Sequence, residues 1–371
     1  MIRITVQGWR GISHSYAMVN QFQLLELLKR TDVALSHEDM PFYNEAWKTG
    51  CSAGFSAAAE RALAQISAPG SQRPDVLYRI TFPYRFSGAA AERVFVFATT
   101  EHQHLHDHMV DRAHRAPGDI RIITPSQWSK QGFVRFGFPE NWVHVVPHGI
   151  DPALFYPLTV TERVKARSAI GFTCEHFVFL NIGALTNNKG VDILVRAFAI
   201  IRQKYRGAVL LLKDARALYA MTAEDTVSEI INAHGLDPAV RDAIAVIPDN
   251  LDLGQMRRVY GMADAYVSPY RAEGFNLPPL EAAACGLPVL LTQGGATDDY
   301  VHPSFAIPIT AQPSTKDQDH WLEPELESVV AGMEALIERR TGCDSSKAIP
   351  WIAENFSWAK AVDKLLRVLA L

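Results

Sequence analysis

The stretch SPYRAEGFNLPPLEAAACGLPVLLT, residues 268–292, contains in order the end of a strand, a bend, a helix and a second strand. Pro278 and Pro279 suit the first turn of a helix, where a missing N–H group costs little. The run 288–291 is apolar and strand-like. A helix placed between two strands in this way is typical of parallel sheets with crossover helices.

The same alternation runs through the whole chain. Short apolar runs occur at 2–6, 76–80, 94–98, 120–124 and 143–146, and again at 177–182, 208–212, 244–247, 265–267 and 288–291. Between them lie helical patterns, of which the apolar stripe after Gly190 is the clearest. The two sets of runs separate near residues 151–159. The sequence therefore predicts an α/β chain with two doubly wound domains.

Composition narrows the function classes. The chain has 371 residues, 48% of them hydrophobic, and a formal net charge of −4, which does not favour nucleic acid as the main partner. Its four cysteines form no CxxC motif, as expected for free thiols in a reducing compartment. The N-terminus enters a strand pattern directly, and no 18 apolar residues run unbroken. We expect a cytoplasmic protein with at most peripheral membrane contact.

In sheets of this kind, ligands bind beyond the carboxyl ends of the strands. The bend before the helix of the first stretch is such a place, and the amides at a helix N-terminus favour anions. These amides belong to Gly274, Phe275, Asn276 and Leu277. Glu273 precedes them on the bend, and Glu281 follows inside the helix. Either the two carboxylates bind sugar hydroxyls, or Glu273 only favours the helix dipole and Glu281 is a solvated surface charge.

Several segments resemble those of one enzyme family. EGFNLPPLE, residues 273–281, is similar to the E-x7-E motif of retaining GT-B-fold glycosyltransferases, especially glycosyltransferase family 4, the glycosyl transferases group 1. Four further segments resemble parts of the family. NIGALTNNKGVDILVRAF (181–198) resembles the opening of its donor domain, and VVPHGID (145–151) resembles the end of its acceptor domain. GWRGISHSYAMVNQ (8–21) resembles its first glycine-rich loop, and FSWAKAVDKLL (356–366) resembles its closing helix.

The resemblance implies a GT-B fold, in which two Rossmann-like domains face each other across a cleft and a C-terminal helix crosses back. Residues 1–155 with 352–371 would form the N-terminal acceptor-side domain, and residues 156–351 the domain that binds the nucleotide-sugar donor.

The resemblance also implies roles for single residues. Glu281 would hold the two ribose hydroxyls of the donor, and Glu273 would contact the hydroxyls of the donor sugar. Lys189 would neutralise the departing diphosphate, where preorganised cations are expected on physical grounds as well. Gly183 would allow close backbone approach. The alternative for Lys189 is a solvated lysine at a helix start.

One departure from the family concerns the phosphates. The family usually has Arg directly after the first glycine of the donor segment, where this chain has Ala184. Without the planar guanidinium group of that arginine, stabilisation of the diphosphate needs another cation. Our hypothesis is that Lys213 supplies it, because it ends the next parallel strand. Asn276 stands where the family commonly has Gly.

The first half contains the histidine-rich segment TEHQHLHDH, residues 100–108. Three interpretations compete. Glu101 or His102 follows a predicted strand and would act in catalysis; His104 and His108, four residues apart, would bind a metal with Asp111; or the histidines form a polar helix surface.

Weaker candidates lie in other loops at strand ends. Gly11 and Ser13 in the first loop would approach phosphate or acceptor, unless the loop is a plain strand-to-helix turn. Pro248, Asp249 and Asn250 follow another predicted strand and are candidates for contacts with the nucleotide base.

These patterns together favour a retaining glycosyltransferase. It would move a hexose-type sugar from a UDP- or GDP-sugar to a hydroxyl of a glycan, a lipid-linked sugar or a small molecule. We expect no metal and no cofactor. The alternatives are a nucleotide-sugar epimerase or phosphorylase on the same fold, a non-catalytic sugar-nucleotide-binding subunit, and a metal-dependent hydrolase built on the histidines.

Overall fold

The structure is a computed structural model that describes residues 1–47, 54–86, 91–106, 109–110, 120–215, 218, 222–248, 250–314, 320–339 and 343–370. The chain forms two compact units. One comprises Met1–Gly149 with Phe356–Leu371, and the other comprises Ile150–Asn355. None of the helices in the described ranges combines the length and the apolar character that crossing a membrane would require.

The first unit begins with alternating strands and helices. In chain order these are β1 (Ile2–Gly8), α1 (Ser15–Leu27), β2 (Val33–Asp39), α2 (Ala57–Ala64), β3 (Val76–Ile80), β4 (Arg93–Phe97), β5 (Ile120–Thr124), α3 (Gln127–Phe136) and β6 (Val143–Val145). The strands form one parallel sheet in the order β2-β1-β3-β4-β5-β6. Because both faces of a parallel sheet are covered, the inner strands are largely buried, and β3 is buried at every position, including Arg79.

The second unit has a larger set of elements. In chain order these are α4 (Val160–Ser168), β7 (Phe177–Ile182), α5 (Val191–Lys204), β8 (Ala208–Lys213), α6 (Ala223–Ala233), β9 (Ile244–Ile247), α7 (Leu253–Met262), β10 (Ala265–Ser268), α8 (Leu277–Ala284), β11 (Val289–Thr292), β12 (Ala306–Ile309), β13 (Ala311–Ser314), β14 (Trp321–Pro324), α9 (Leu326–Ile337) and α10 (Ser345–Asn355). Six of the strands form a parallel sheet in the order β12-β11-β10-β7-β8-β9, and β13 and β14 form a separate antiparallel hairpin.

Helix α5 shows how the pattern of apolar residues produces this layer structure. The residues of its predicted stripe, Val191, Leu194, Val195, Phe198 and Ile201, are all buried, so the predicted helix is confirmed. They pack with the apolar side chains of β7 and β8 in the main core of the unit. A stripe at this spacing covers one face of the sheet and leaves the other helix face to solvent.

The last helix, α11 (Trp358–Leu369), belongs to the first unit. Ser357 caps its N-terminus by accepting a hydrogen bond from the Lys360 amide. The indole of Trp358 stacks on Phe22 of α1 with ring centroids 5.0 Å apart. The predicted α/β class with two doubly wound domains is confirmed by the two six-stranded parallel sheets.

Candidate functional site

The strand order of the second sheet reverses between β7 and β10. These two strands are neighbours, although β8 and β9 come between them in the sequence. Open parallel sheets bind ligands beyond the carboxyl ends of the strands at such a point. The loops that follow β7 and β10 are therefore the first place to look for a site, and they contain Lys189 and Glu273.

Gly190 lets these two loops come into contact. Its φ angle is 67°, in the left-handed region, and a Cβ atom added there would lie 1.8 Å from the carbonyl oxygen of Pro269. Only glycine combines this conformation with so close an approach. The backbone of Asn188 then accepts hydrogen bonds from the amides of Arg271, at 2.7 Å, and Ala272, at 3.2 Å.

This contact brings Lys189 onto Glu273. The Lys189 ammonium donates to Oε1 of Glu273 in an ion pair, with the lysine side chain 26% exposed and the glutamate side chain 5% exposed. The pair lies beside Gly183, because a Cβ atom on Gly183 would be 3.9 Å from Cε of Lys189. The lysine is thus partly open to a ligand, whereas the carboxylate is buried and paired.

The bend before α8 is buried. Gly274, Phe275 and Asn276 are inside, and Leu277 is the first residue of the helix. Asn276 has a φ angle of 64°, and asparagine tolerates this left-handed conformation better than most residues, which accounts for its place where glycine is common. Its amide donates to Ser268 Oγ at 3.1 Å, and its carbonyl accepts from the Tyr300 hydroxyl at 2.6 Å.

Helix α8 confirms the prediction of prolines in its first turn. Asn276 makes no side-chain cap to the amides of this turn. Such an N-terminus retains the partial positive charge that favours anions.

Glu281 lies one turn into α8 and faces inward. The Tyr260 hydroxyl donates to its Oε2 at 2.5 Å. Burial raises the pKa of Glu281 to about 7, with the Tyr260 hydrogen bond acting in the opposite direction. Glu281 is half-buried and its carboxyl group is bonded to Tyr260, so it is not a fully solvated surface charge.

Two tyrosines of this region were not among the residues predicted from the sequence. Tyr260 holds Glu281, and Tyr266 is buried near both glutamates, with its hydroxyl 3.3 Å from the amide nitrogen of Ile182. Burial raises the pKa of Tyr266, and the charges of Glu273 and Glu281 add to this effect. In the sequence both residues lie at apolar positions of a helix and a strand, which is the usual signal of core residues.

Lys213 ends β8 next to the loop after β7. Its carbonyl accepts a hydrogen bond from the Gly183 amide at 3.0 Å, and Ala184, which follows, is half-buried. Lys213 is 8% exposed, and its ammonium donates to the carbonyl of Asp214. The lysine is thus close in the fold to the position of the missing family arginine, and its role there stays a prediction.

The weaker candidates of the second unit lie further along the sheet. Pro248 and Asn250 follow β9, which is the edge strand and is separated from β7 by β8. Pro248 is half-buried and Asn250 is exposed. Asp249 lies outside the described residues.

The first sheet has its own reversal of strand order, between β1 and β3. Gly11 lies in the loop after β1 with a φ angle of 76°, and its amide donates to Gln21 Oε1 at 3.1 Å. Ser13 is exposed. His14 caps α1, and burial lowers its pKa to about 4, so the ring is neutral at physiological pH.

Glu101 and His102 lie in a turn after β4. The turn is fixed because the Trp128 indole donates to the Glu101 carbonyl at 2.8 Å and the Thr100 amide donates to Ser129 Oγ at 2.8 Å. Both candidate residues are half-buried.

The helix expected for the histidine-rich segment is wrong for residues 101–106, which form a turn followed by a stretch without regular secondary structure. The hydrogen bonds that fix the turn favour this conformation over a helix. His108 and Asp111 lie outside the described residues. Among the described residues no group of three or more His, Cys, Asp or Glu side chains is placed to hold a metal ion.

Similar proteins were found in sequence and in structure. Residues 163–319 match the family "Glycosyl transferases group 1". Among the relatives, D-inositol 3-phosphate glycosyltransferase 1 of Catenulispora acidiphila is 27% identical over 68% of this chain and 57% of its own length. Mannosylfructose-phosphate synthase of Agrobacterium fabrum is 28% identical over 43% of this chain and 34% of its own length. The matched part thus spans between about a third and three fifths of these relatives.

The solved structures extend the likeness to the full chain. Anabaena HepE in complex with UDP-glucose has a TM-score of 0.70 at 17% identity, with 100% of both chains covered. Sucrose-phosphate synthase from Thermosynechococcus elongatus has a TM-score of 0.66 at 14% identity, covering 100% of this chain and 98% of its own. At these identities the likeness establishes the fold. Residues 163–319 therefore belong to the glycosyl transferases group 1 family, within a chain that has the GT-B fold.

Proposed function

We propose that this protein is a retaining glycosyltransferase that takes a hexose-type sugar from a nucleoside diphosphate donor and transfers it to an acceptor hydroxyl. The observation that carries the proposal is the Lys189–Glu273 pair at the strand reversal of a group 1 domain. A cation next to a buried carboxylate that can accept hydrogen bonds suits a ligand in which a diphosphate is attached to a sugar.

Lys189 acts on the leaving group. Breaking the bond between the sugar and the diphosphate leaves negative charge on phosphate oxygens, and a preorganised cation stabilises that charge. The partly exposed Lys189 ammonium and the N-terminus of α8 both suit this role. Glu273, buried beneath the lysine, accepts hydrogen bonds from hydroxyls of the donor sugar.

Glu281 holds the ribose. A carboxylate accepts hydrogen bonds from two neighbouring hydroxyls, and the Tyr260 hydroxyl fixes its orientation. Hydrogen bonds to the ionised form favour it, so donor binding lowers the pKa of Glu281 from about 7. Donor affinity therefore falls as the pH drops below 7.

Lys213 compensates for Ala184 in the diphosphate site. Its carbonyl is bonded to Gly183, and its ammonium is bonded to a backbone carbonyl that a phosphate oxygen can replace. A lysine supplies a point charge in place of the planar fork of arginine.

The reaction follows from these roles. The acceptor hydroxyl attacks on the face that the diphosphate leaves, a diphosphate oxygen helps to remove its proton, and the anomeric configuration is kept. The protein contributes positioning and charge stabilisation and needs no metal ion.

Two loops of the first unit act on the acceptor side. They contain Glu101 and His102, on the fixed turn after β4, and Gly11 and Ser13, after β1. The complex of Anabaena HepE with UDP-glucose supports a UDP-sugar as the first donor to test.

A thermal-shift screen tests the proposal, because a ligand that binds only the folded state raises its stability. We expect one nucleoside diphosphate and its sugars to raise the melting temperature selectively, with and without EDTA. Product analysis by NMR with an acceptor panel should then give one glycoside of retained configuration. A chain that binds the donor without turnover would instead be a binding subunit, and an isomerised donor would indicate an epimerase.

A further inference from the structure

Arg271 lies at the centre of a hydrogen-bond network that joins three segments of the second unit. Its Nη1 and Nη2 atoms donate to the two carboxylate oxygens of Asp192, at 2.7 and 2.8 Å. Its Nε atom donates to Glu323 of β14 at 3.1 Å. Nη1 also donates to the carbonyl and to Oδ1 of Asn187, each at 2.9 Å. The network thus connects the loop before α5, the loop before α8 and the hairpin.

The surroundings of Arg271 exclude it as the replacement for the missing family arginine. The residue is 7% exposed, and each of its three guanidinium nitrogens donates to a protein acceptor. Burial alone would lower its pKa, but the carboxylates of Asp192 and Glu323 outweigh burial and raise it. A phosphate would have to displace these carboxylates, so the guanidinium acts on the protein itself.

The backbone of Arg271 adds to the same junction. Its amide donates to the Asn188 carbonyl at 2.7 Å, and its carbonyl accepts from the Leu322 amide of the hairpin at 2.9 Å. Side chain and backbone therefore hold Asn187 and Asn188 from one position. Lys189 is the next residue on that loop, and Glu273 lies two residues after Arg271.

We infer that Arg271 is a positioning residue, which fixes Lys189 against Glu273 through the loop that contains Asn187. The inference rests on the proposed function, because the proposed function gives the Lys189–Glu273 pair its role in the reaction. The planar guanidinium group has five N–H donors, so it can bind both oxygens of the Asp192 carboxylate and Asn187 at the same time. A lysine keeps the charge but cannot make this set of bonds.

The test is a double-mutant cycle between Arg271→Lys and Lys189→Met, read as turnover of UDP-glucose. Arg271→Lys should lower kcat by about 10- to 100-fold, the loss expected from a displaced catalytic group. If Arg271 acts through Lys189, the double variant should be no slower than Lys189→Met alone. Losses that multiply in the double variant would overturn the inference, and so would an unchanged kcat.

A matched control separates positioning from plain stabilisation. Arg167 is equally buried and donates to Asp264 at 3.2 Å, but it lies at the amino end of the sheet. Arg167→Lys should lower the melting temperature and leave the kcat of the folded enzyme unchanged. If Arg271→Lys does not fold, Asp192→Asn, which removes one partner of Arg271, should show the same dependence on Lys189 with a smaller loss.

A second readout needs no turnover. The rate at which trinitrobenzenesulfonate labels Lys189, followed by peptide mass spectrometry, should rise several-fold in Arg271→Lys and stay at the wild-type value in Arg167→Lys. If the wild-type protein fails to turn over any donor, the proposed function falls, and this rate alone decides the inference. Equal labelling rates in both variants and the wild type would then contradict it.

Discussion

The two glutamates of the site are held by different partners. Glu273 faces an ammonium group, whereas Glu281 faces the neutral hydroxyl of Tyr260. A buried carboxyl group without a cation beside it favours its protonated form. This difference leads to a prediction for Glu281 that does not depend on any ligand.

Glu281→Gln should stabilise the protein at neutral and higher pH. The unfolded chain loses the Glu281 proton near pH 4.5 and the folded chain near pH 7, so the free energy of unfolding falls as the pH rises through this window. Glutamine removes that loss. We expect the variant to exceed the wild type by about 1–3 kcal/mol at pH 8 and to equal it at pH 4.5, as measured by urea unfolding. An equal difference at both pH values would refute the raised pKa.

Lys213→Ala should lower donor turnover by about 10- to 100-fold, because the diphosphate loses a cation at a buried place. The control is Lys204→Ala, which removes an exposed lysine at the end of α5 that is paired with Glu334 of α9. Steady-state kinetics with the donor found in the screen compare the two variants. Near-normal activity of Lys213→Ala would remove this residue from the mechanism.

Motifs in the sequence mark Lys189 and Glu273 as candidate site residues, but they do not show the contact between them. Lys189 and Glu273 are 84 positions apart, and nothing in either segment shows that one pairs with the other. The pairing follows from the order of strands in the sheet, which places β10 beside β7. Tyr260 was not predictable as a partner of Glu281, because an aromatic residue inside an amphipathic helix is normally a core residue.

At the scale of elements, compact apolar strands were predictable, whereas edge strands with polar residues or proline were not. The bounds predicted for β3, β5, β7 and β9 agree with the structure, since each is a compact apolar run. Strand β2, VALSHED, is missing from the prediction because it lies at the sheet edge and its second half is polar. The other missed edge strand, β12, contains a proline, which edge strands tolerate.

Gly190→Ala tests the contact between the two loops of the site. Alanine would need a left-handed conformation and would clash with the Pro269 carbonyl, so we expect a loss of unfolding free energy clearly above the 1–3 kcal/mol or so of the conformation alone. Gly235→Ala is the matched control, because Gly235 has a φ angle of 59° and open space around its Cα. Thermal unfolding followed by circular dichroism compares the two. Equal losses would mean that the close approach at Pro269 is unimportant.

At the scale of the molecule, both units have the same plan of six parallel strands with one reversal of order. This plan was predictable from the alternation of strands and helices. The sequence predicts that the first domain ends at residue 155 and the second at residue 351. In the structure, the chain passes from the first unit to the second after Gly149 and returns to the first unit after Asn355. The difference arises because a boundary depends on contacts between distant segments, which local composition does not show.

Trp358→Ala tests the place of the last helix in the first unit. Losing a buried indole that stacks on Phe22 should lower the free energy of unfolding of that unit by about 3–5 kcal/mol. Nucleoside diphosphate binding by the second unit should be unaffected. Calorimetric scans with and without nucleotide measure both effects, and a variant that loses nucleotide binding while folded would contradict this assignment.

The most direct test of the proposed donor site is calorimetric titration of the wild type, Lys189→Met and Glu281→Ala with UDP, GDP and the corresponding monophosphates. We predict that one base is preferred and that Lys189→Met weakens binding of its diphosphate by about 10- to 100-fold while the monophosphate is little affected. Glu281→Ala should weaken both ligands, because both contain the ribose. Equal affinity of Lys189→Met and the wild type for the diphosphate would show that the Lys189–Glu273 pair does not bind the donor.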